Sequence, residues 1–332
     1  YSILVNNQPT YVLQRINSAV FPEPIKVMEN LRNISEYLIP AFPRHRFLTP
    51  IVNRENAYYS RDENGDVWRL CDFVAGSVTF DFVQTEEQAE ESARAFAEYQ
   101  LQLLNYNGPE LHETIKDFHN TPVRYQNFER AILEGNSERV EAAQNEISWM
   151  RKNRHIANRL TDLCDNGDIP LRITHNDSKL QNLLLDEKTH HSLCVVDLDT
   201  VMPGLSLYDF GDMMRSTTSP VAEDEEDLSK VKMQMNMFKA LARGYYSVAG
   251  KFLTTIEVAN IPFAGMLITY ENALRFLTDH FMDDVYYKTH KEHHNLLRCR
   301  TQIELVKSMQ SHESAMNEYI ESLAIGAEKD RK

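Results

Sequence analysis

His175, Asn176, Asp177, Lys179 and Asn182 fall within eight residues of the run THNDSKLQNLLLD, residues 174–186. Asp197 and Asp199 follow in VVDLDTVMPGLSLYDFGD, residues 195–212. Phosphoryl transfer asks a protein for three things: a carboxylate to orient the attacking hydroxyl, ligands for Mg2+, and cations near the phosphates. Mg2+ favours hard oxygen donors, which Asn and Asp side chains supply. Asp177, Lys179 and Asn182 provide one of each type in a single loop, and Asp197 and Asp199, two apart on an extended segment, face the same side. A lone Asp–Asn pair would read as a turn or a strand cap; five such residues at this spacing read as a working centre.

These residues need scaffolding. Leu171–Thr174, Leu183–Leu185 and Leu193–Val196 are short apolar runs that predict strands flanking the polar cluster. The chain opens with alternating residues on either side of NNQP, a predicted hairpin. In the segment from Phe21 to Leu38, Val27, Leu31, Ile34 and Leu38 recur at helical spacing, with Pro24 near its start. Strands are expected around Thr49–Val52 and Val67–Phe73, separated by the turn-like RDENGD. Residues 1–75 therefore form a small β-rich unit, and 76–332 a larger, mostly helical one. The first helix of the second unit is expected to open at Thr85, a cap followed by an acidic first turn. Residues 223–329 return to helix, and the charged GAEKDRK is expected to fray.

Composition narrows the chemistry further. Among 332 residues, 42% are hydrophobic, enough for a sizeable core. The net charge of −14 argues against a nucleic-acid or anionic-membrane surface. No run is long enough to span a bilayer. Cys71, Cys164, Cys194 and Cys299 show no metal or disulfide spacing, which implies a reducing, cytoplasmic setting. The start lacks the basic and apolar regions of a signal peptide, and no Met opens the chain, so upstream residues are expected to be missing.

His175, Asp177, Lys179 and Asn182 resemble the kinase catalytic-loop pattern H-x-D-x-K-x-x-N, with Asp197 in the place of the metal-binding Asp. Asp197-Leu198-Asp199 stands where protein kinases carry D-F-G, and no A-P-E signature follows. The pattern is instead similar to the aminoglycoside-phosphotransferase-like superfamily of small-molecule kinases. YVLQRINSAVFPEP, VDLDTVMPGLSLYDFGDMMR and YENALRFLTDHF with HNLLRCRTQ are most similar to its N-acetylhexosamine 1-kinases. The resemblance implies a two-lobed, protein-kinase-like α+β fold, with a small β-rich N-lobe, a larger mostly helical C-lobe, and ATP and Mg2+ between them. It implies Asp177 as the base, Lys179 on the moving phosphoryl group, His175 as a brace, and Asn182, Asp197 and Asp199 on the metal. Arg15, or Gln14 if the register shifts by one, would reach the nucleotide's phosphates, with Glu29 as the partner of Arg15. Leu70-Cys71-Asp72-Phe73 would form the adenine hinge. A glycine-rich phosphate loop should precede Ile3–Val5, and the sequence has none there.

For the acceptor, an amino sugar, the expected residues are Arg275 and Asp212, then Phe276, Tyr286 and Arg300, with His119 and Arg124 contributing. Glu271, one helical turn before Arg275, offers that arginine a purely structural role. Asp209 is expected to tie the loop to a helix, and His293-His294 to lie on a solvated helix face. The rivals are another hydroxyl acceptor (an aminoglycoside, choline or homoserine) and a binding module without turnover. The sequence leaves oligomeric state open.

Overall fold

The computed structural model describes residues 1–330. Strands β1 (Ser2–Val5) and β2 (Gln8–Arg15) form a hairpin turned by Asn6 and Asn7. Both asparagines have positive φ, 53° and 62°, a conformation asparagine tolerates well and tight hairpins require. Helix α1 (Pro24–Ala41) follows, then β3 (Ser60–Arg61) and β4 (Val67–Asp72), giving a four-stranded antiparallel sheet ordered β1-β2-β4-β3. Val27, Leu31, Ile34 and Leu38 are all buried, and they pack with Ile16 and Val67 under the sheet. Burying each such aliphatic side chain contributes about 1.5–3 kcal/mol.

After β5 (Ser77–Val78) comes α2 (Glu86–Leu103), whose N-terminus is capped by Thr85 accepting from the Gln88 amide. Tyr99 and Leu103 of α2, with Leu198 and Val201, also close the small lobe's core. Helices α3 (Thr121–Glu134), α4 (Ser137–Ala142), α5 (Gln144–Lys152) and α6 (His155–Asp165) lead to β6 (Arg172–Thr174), β7 (Leu183–Asp186), β8 (Ser192–Val195) and β9 (Met202–Gly204). These strands make two small sheets, β5-β7-β8 and β6-β9. Helices α7 (Ser206–Thr218), α8 (Met235–Ala249), α9 (Thr255–Ala259), α10 (Ile261–Phe281), α11 (His294–Ser311) and α12 (Glu313–Asp330) complete the large lobe. α10 runs through its centre, with most of its side chains buried on all faces.

Two expectations are corrected, and three short strands carry no signal in the sequence. Thr49–Val52 makes only an isolated bridge, Pro50 to Cys71, because a proline has no N–H to continue a ladder. The charged tail does not fray at Gly326, since α12 continues to Asp330; Arg331 and Lys332 lie outside the described residues. β3, β5 and β9, of two or three residues each, are too short to carry a period-two signal. Among the described residues, no helix is long and apolar enough to cross a membrane.

Candidate active site

The loop between β6 and β7 carries His175 to Asn182, and the segment after β8 carries Asp197 and Asp199. Two residues here adopt left-handed backbone, Asn176 at φ 65° and Asp197 at φ 59°. Such conformations cost free energy and persist only when their surroundings hold them. For Asn176 the restraints are visible. Its Nδ2 donates to Thr200 O at 2.9 Å, its Oδ1 accepts from Thr174 Oγ1 at 2.9 Å, and its amide donates to Asp209 Oδ1 at 2.7 Å. A Cβ at Gly204 would collide with Thr174 Oγ1 and Asn176 Oδ1, so only glycine lets β9 pass this close.

His175 is fully buried, edge-on to Phe96 and Tyr99. Its Nε2 lies 2.9 Å from Val196 O and its Nδ1 3.3 Å from the Asp177 amide, which fits the neutral ring protonated at Nε2. It thus joins the loop to the segment bearing Asp197. Lys179 Nζ lies 3.0 Å from Asp177 Oδ2, and Asn182 Nδ2 donates to the same oxygen at 2.8 Å. Burial alone would raise the Asp177 carboxyl; the ammonium of Lys179 outweighs it and holds the carboxyl below the usual carboxylate range. The Asp177 side chain is therefore an anion with its proton-accepting oxygens already aimed.

Among the described residues, Asn182 Oδ1 and the Asp197 carboxylate accept no hydrogen bond. Asp197 is the open member of the pair, yet burial, Asp199 and Asp177 together push its carboxyl up. Asp199 is buried and ion-paired to Arg69 Nη1. Asn182 Oδ1 and the Asp197 carboxylate are thus left without a protein partner, while Asp177 is matched by Lys179 and Asp199 by Arg69. That donor set, hard oxygens without protein partners, fits a divalent cation such as Mg2+.

The small lobe departs from expectation. Arg15 points away from the loop and pairs with Asp66 at 2.7 Å, while Glu29 binds His112 Nε2 at 2.8 Å; the expected Arg15–Glu29 pair does not form. Strand alternation explains this, because it is Gln14 that shares the inward face with Val12 and Ile16. The inward cation is Arg69 of β4, opposite Gln14 in the ladder, and its Nε donates to Gln14 Oε1 at 3.0 Å. In the hinge segment, Cys71 is fully buried and Phe73 partly exposed; Leu70 O accepts from Ile51 N and Phe73 N donates to Thr10 O.

The expected acceptor residues do not share one cavity. Asp212 accepts from Arg215, in the immediate surroundings of Lys179. Arg275 lies among the rings of Phe118, Tyr286 and Tyr287, and with Arg124 and Tyr286 lines a separate cavity of about 240 Å³. Phe276 is buried against Tyr287, and Arg300 is taken up by Glu146 at 2.6 Å. Glu271 does not ion-pair with Arg275: its carboxylate meets His119 Nδ1 and Thr121 Oγ1, each at 2.8 Å. His119 Nε2 in turn contacts Asn176 O at 2.8 Å, so this histidine reaches the loop's backbone.

A larger cavity, about 510 Å³, adjoins Lys179 and is walled by Arg215, Glu223, Asp224, His294, Arg298 and Gln302. The sequence reading missed this wall. It also placed His293-His294 on a solvated face, whereas His294 is buried and contacts Asp224 at 3.0 Å. Arg215 carried a signal, the lone cation of YDFGDMMR three residues after Asp212, and it is nearly enclosed.

The sequence model of the phosphotransferase enzyme family matches residues 1–229. A microcompartment-associated aminopropanol kinase superposes at TM-score 0.63 with 15% identity, over 92% of this chain and 87% of that one. An aminoglycoside phosphotransferase from Alicyclobacillus acidocaldarius gives 0.59 with 14% identity, over 94% and 87%. An amicoumacin kinase, in complex with AMP-PNP, Ca2+ and Ami, gives 0.55 with 12% identity, over 89% and 81%. At these identities the likeness is one of fold: a small sheet-bearing lobe on a larger helical lobe, the two-lobed kinase-like arrangement. With the family's own sequence pattern running through the loop just described, the chain belongs to the phosphotransferase enzyme family.

Proposed function

We propose that this phosphotransferase moves the γ-phosphoryl group of ATP, with Mg2+, to the anomeric hydroxyl of an N-acetylhexosamine (GlcNAc or GalNAc), giving the sugar 1-phosphate. The observation that carries the chemistry is Asp177, held between Lys179 and Asn182 and beside the partner-free Asp197. Asp177 takes the hydroxyl proton as the sugar oxygen bonds to γ-phosphorus, and the bond to the β–γ bridging oxygen breaks to release ADP. Lys179 neutralises charge on the transferring group. Asn182, Asp197 and Asp199 would hold Mg2+, which supplies charge neutralisation at the nucleotide's phosphates. No covalent enzyme intermediate is required, because positioning and fixed charge carry the reaction.

The acceptor reading rests on the sequence resemblance and on the cavity beside Lys179. On its wall Glu223 is matched by Arg215 and Arg298 and Asp224 by His294, while Asp81 has no ion pair among the described residues. The buried polar atoms without a hydrogen bond here are two acceptors, Gln302 Oε1 on the cavity wall and Asp212 Oδ2 nearby, and one donor, Arg298 Nε. A hydroxyl-rich ligand, which both donates and accepts, suits this set of atoms. All four cysteines are free thiols, three of them buried, in keeping with a reducing, cytoplasmic setting.

The test is an ADP-release assay against N-acetylhexosamines, amino alcohols and aminoglycosides, with identification of the phosphorylated position. Turnover confined to N-acetylhexosamines supports the proposal. Preference for a cationic acceptor would overturn the sugar assignment, and silence with every acceptor at saturating ATP and Mg2+ would favour a nucleotide-binding module.

A further inference from the structure

We infer that Arg69 is the positioning residue through which the small lobe sets the metal–phosphate end of the site. It does so from β4, in place of a cation on β2. The inference rests on the phosphotransferase reading above.

β2 and β4 pair antiparallel with Gln14 opposite Arg69 and Arg15 opposite Trp68. The face turned towards the large lobe therefore receives a neutral amide from β2 and a guanidinium from β4. Arg69 is 3% exposed. Its Nε donates to Gln14 Oε1, and its Nη1 donates to Asp199 Oδ1 across the junction between the lobes. Among the described residues Nη2 makes no hydrogen bond, which leaves one donor edge of the fork uncommitted.

Stability alone is a poor reason for this pair. Removing two charges from water costs several kcal/mol per ion, and apolar replacements of a buried ion pair are often neutral or stabilising. The pair has a better reason in its surroundings. Asp199 lies two residues after Asp197 in one tight turn, and its own backbone carbonyl accepts from Thr114 Oγ1 at 2.7 Å. With the carbonyl pinned by Thr114 and the carboxylate by Arg69, Asp199 is held at both ends. Lys179 stands at Asp177 on one side of the acidic cluster and Arg69 at Asp199 on the other. Gln14 completes the device: by accepting from Nε it fixes the plane of the guanidinium, which a flexible lysine on β4 could not match.

The test compares Mg-ADP with adenosine binding by calorimetry, and the Mg2+ concentration for half-saturation, in wild type, Arg69→Gln, Arg69→Lys and Gln14→Leu. Arg69→Gln is expected to weaken Mg-ADP roughly tenfold to a hundredfold, the worth of a charge-assisted hydrogen bond, and to raise the Mg2+ requirement while leaving adenosine unchanged. Arg69→Lys and Gln14→Leu should show smaller losses of the same kind, and they decide the matter should Arg69→Gln fail to fold. The double variant Gln14→Lys/Arg69→Gln, which moves the charge to β2, should recover part of the Mg-ADP affinity. Equal losses for adenosine and Mg-ADP, or none for either, would reduce Arg69 to a lobe clamp and overturn the inference. Failure of wild type to bind Mg-ADP would instead remove the phosphotransferase reading itself.

Discussion

Asp209 Oδ1 accepts the backbone N–H of Asn176 at 2.7 Å, so a fully buried carboxylate on α7 holds the residue that immediately precedes Asp177. Its second oxygen accepts from the His175 amide at 3.1 Å and from Gln100 Nε2 at 2.6 Å. Burial pushes the Asp209 carboxyl up, against the pull of these donors. Asp209→Asn would present an NH2 group to one of these donors. The expected loss is about 1.5–3 kcal/mol for each hydrogen bond to the charged group that is broken. Turnover should fall with it, because the strained φ of Asn176 loses its restraint. Chemical denaturation and initial rates check both; unchanged stability would show that the loop is held elsewhere.

Asp177→Asn keeps the side chain's shape and its place beside Asn182, but removes the proton acceptor. We expect kcat to drop about a hundredfold to ten-thousandfold, the usual range for loss of a general base. ADP affinity should stay within about twofold, since Asn182, Asp197 and Arg69 remain. Rapid-quench turnover and equilibrium nucleotide binding separate the two effects. Near-normal turnover would mean that Asp177 only orients Lys179.

The catalytic loop was legible in sequence because its geometry is local: His175 to Asn182 lie in one turn, and their spacing carries their relationship. The small-lobe cation was not. Arg15 and Gln14 were indistinguishable along one strand, and the partner that decides between them, Arg69, lies 55 residues on in β4. A trace of it existed: in VWRLCD, Arg69 shares parity with the buried Val67 and Cys71, an arginine on a core-facing position. The cavity beside Lys179 was hidden for a different reason. Its wall joins the end of α7, an irregular segment and α11, and no periodicity in any one of them reports their meeting.

Gln302 offers a test in which stability and binding should move in opposite directions. Its Oε1 is buried without a partner in the free protein, so Gln302→Leu removes an unsatisfied acceptor and should be neutral or slightly stabilising. If a sugar hydroxyl or amide meets that oxygen, the acceptor KM should rise about threefold to tenfold, the worth of a neutral hydrogen bond, with little change in kcat. Melting temperature and acceptor titrations check the prediction. An unchanged KM would place the acceptor away from α11, in the neighbourhood of Arg275 and Tyr286.

His119 and Glu271 predict a pH dependence of folding. Burial would discharge His119, but the Glu271 carboxylate 2.8 Å away overrides it and raises the imidazolium above its ordinary value. Glu271 is likewise held below the usual carboxylate range, against the effect of burial, chiefly by His119. For the raised histidine, the stabilisation is fully present below about pH 6.5 and is lost as pH climbs through the folded-state value. For the lowered glutamate, it is present above about pH 4.3 and is lost as pH falls through its folded-state value. The pair therefore stabilises most between those limits, and melting temperature should decline above pH 6.5. In His119→Gln/Glu271→Gln that decline should flatten, because neither side chain titrates. Because His119 also touches Asn176 O, turnover of the wild type should soften over the same alkaline range. Parallel pH profiles of melting temperature for wild type and double variant would show that the pair titrates alike in the folded and unfolded chain and adds no pH-dependent stability.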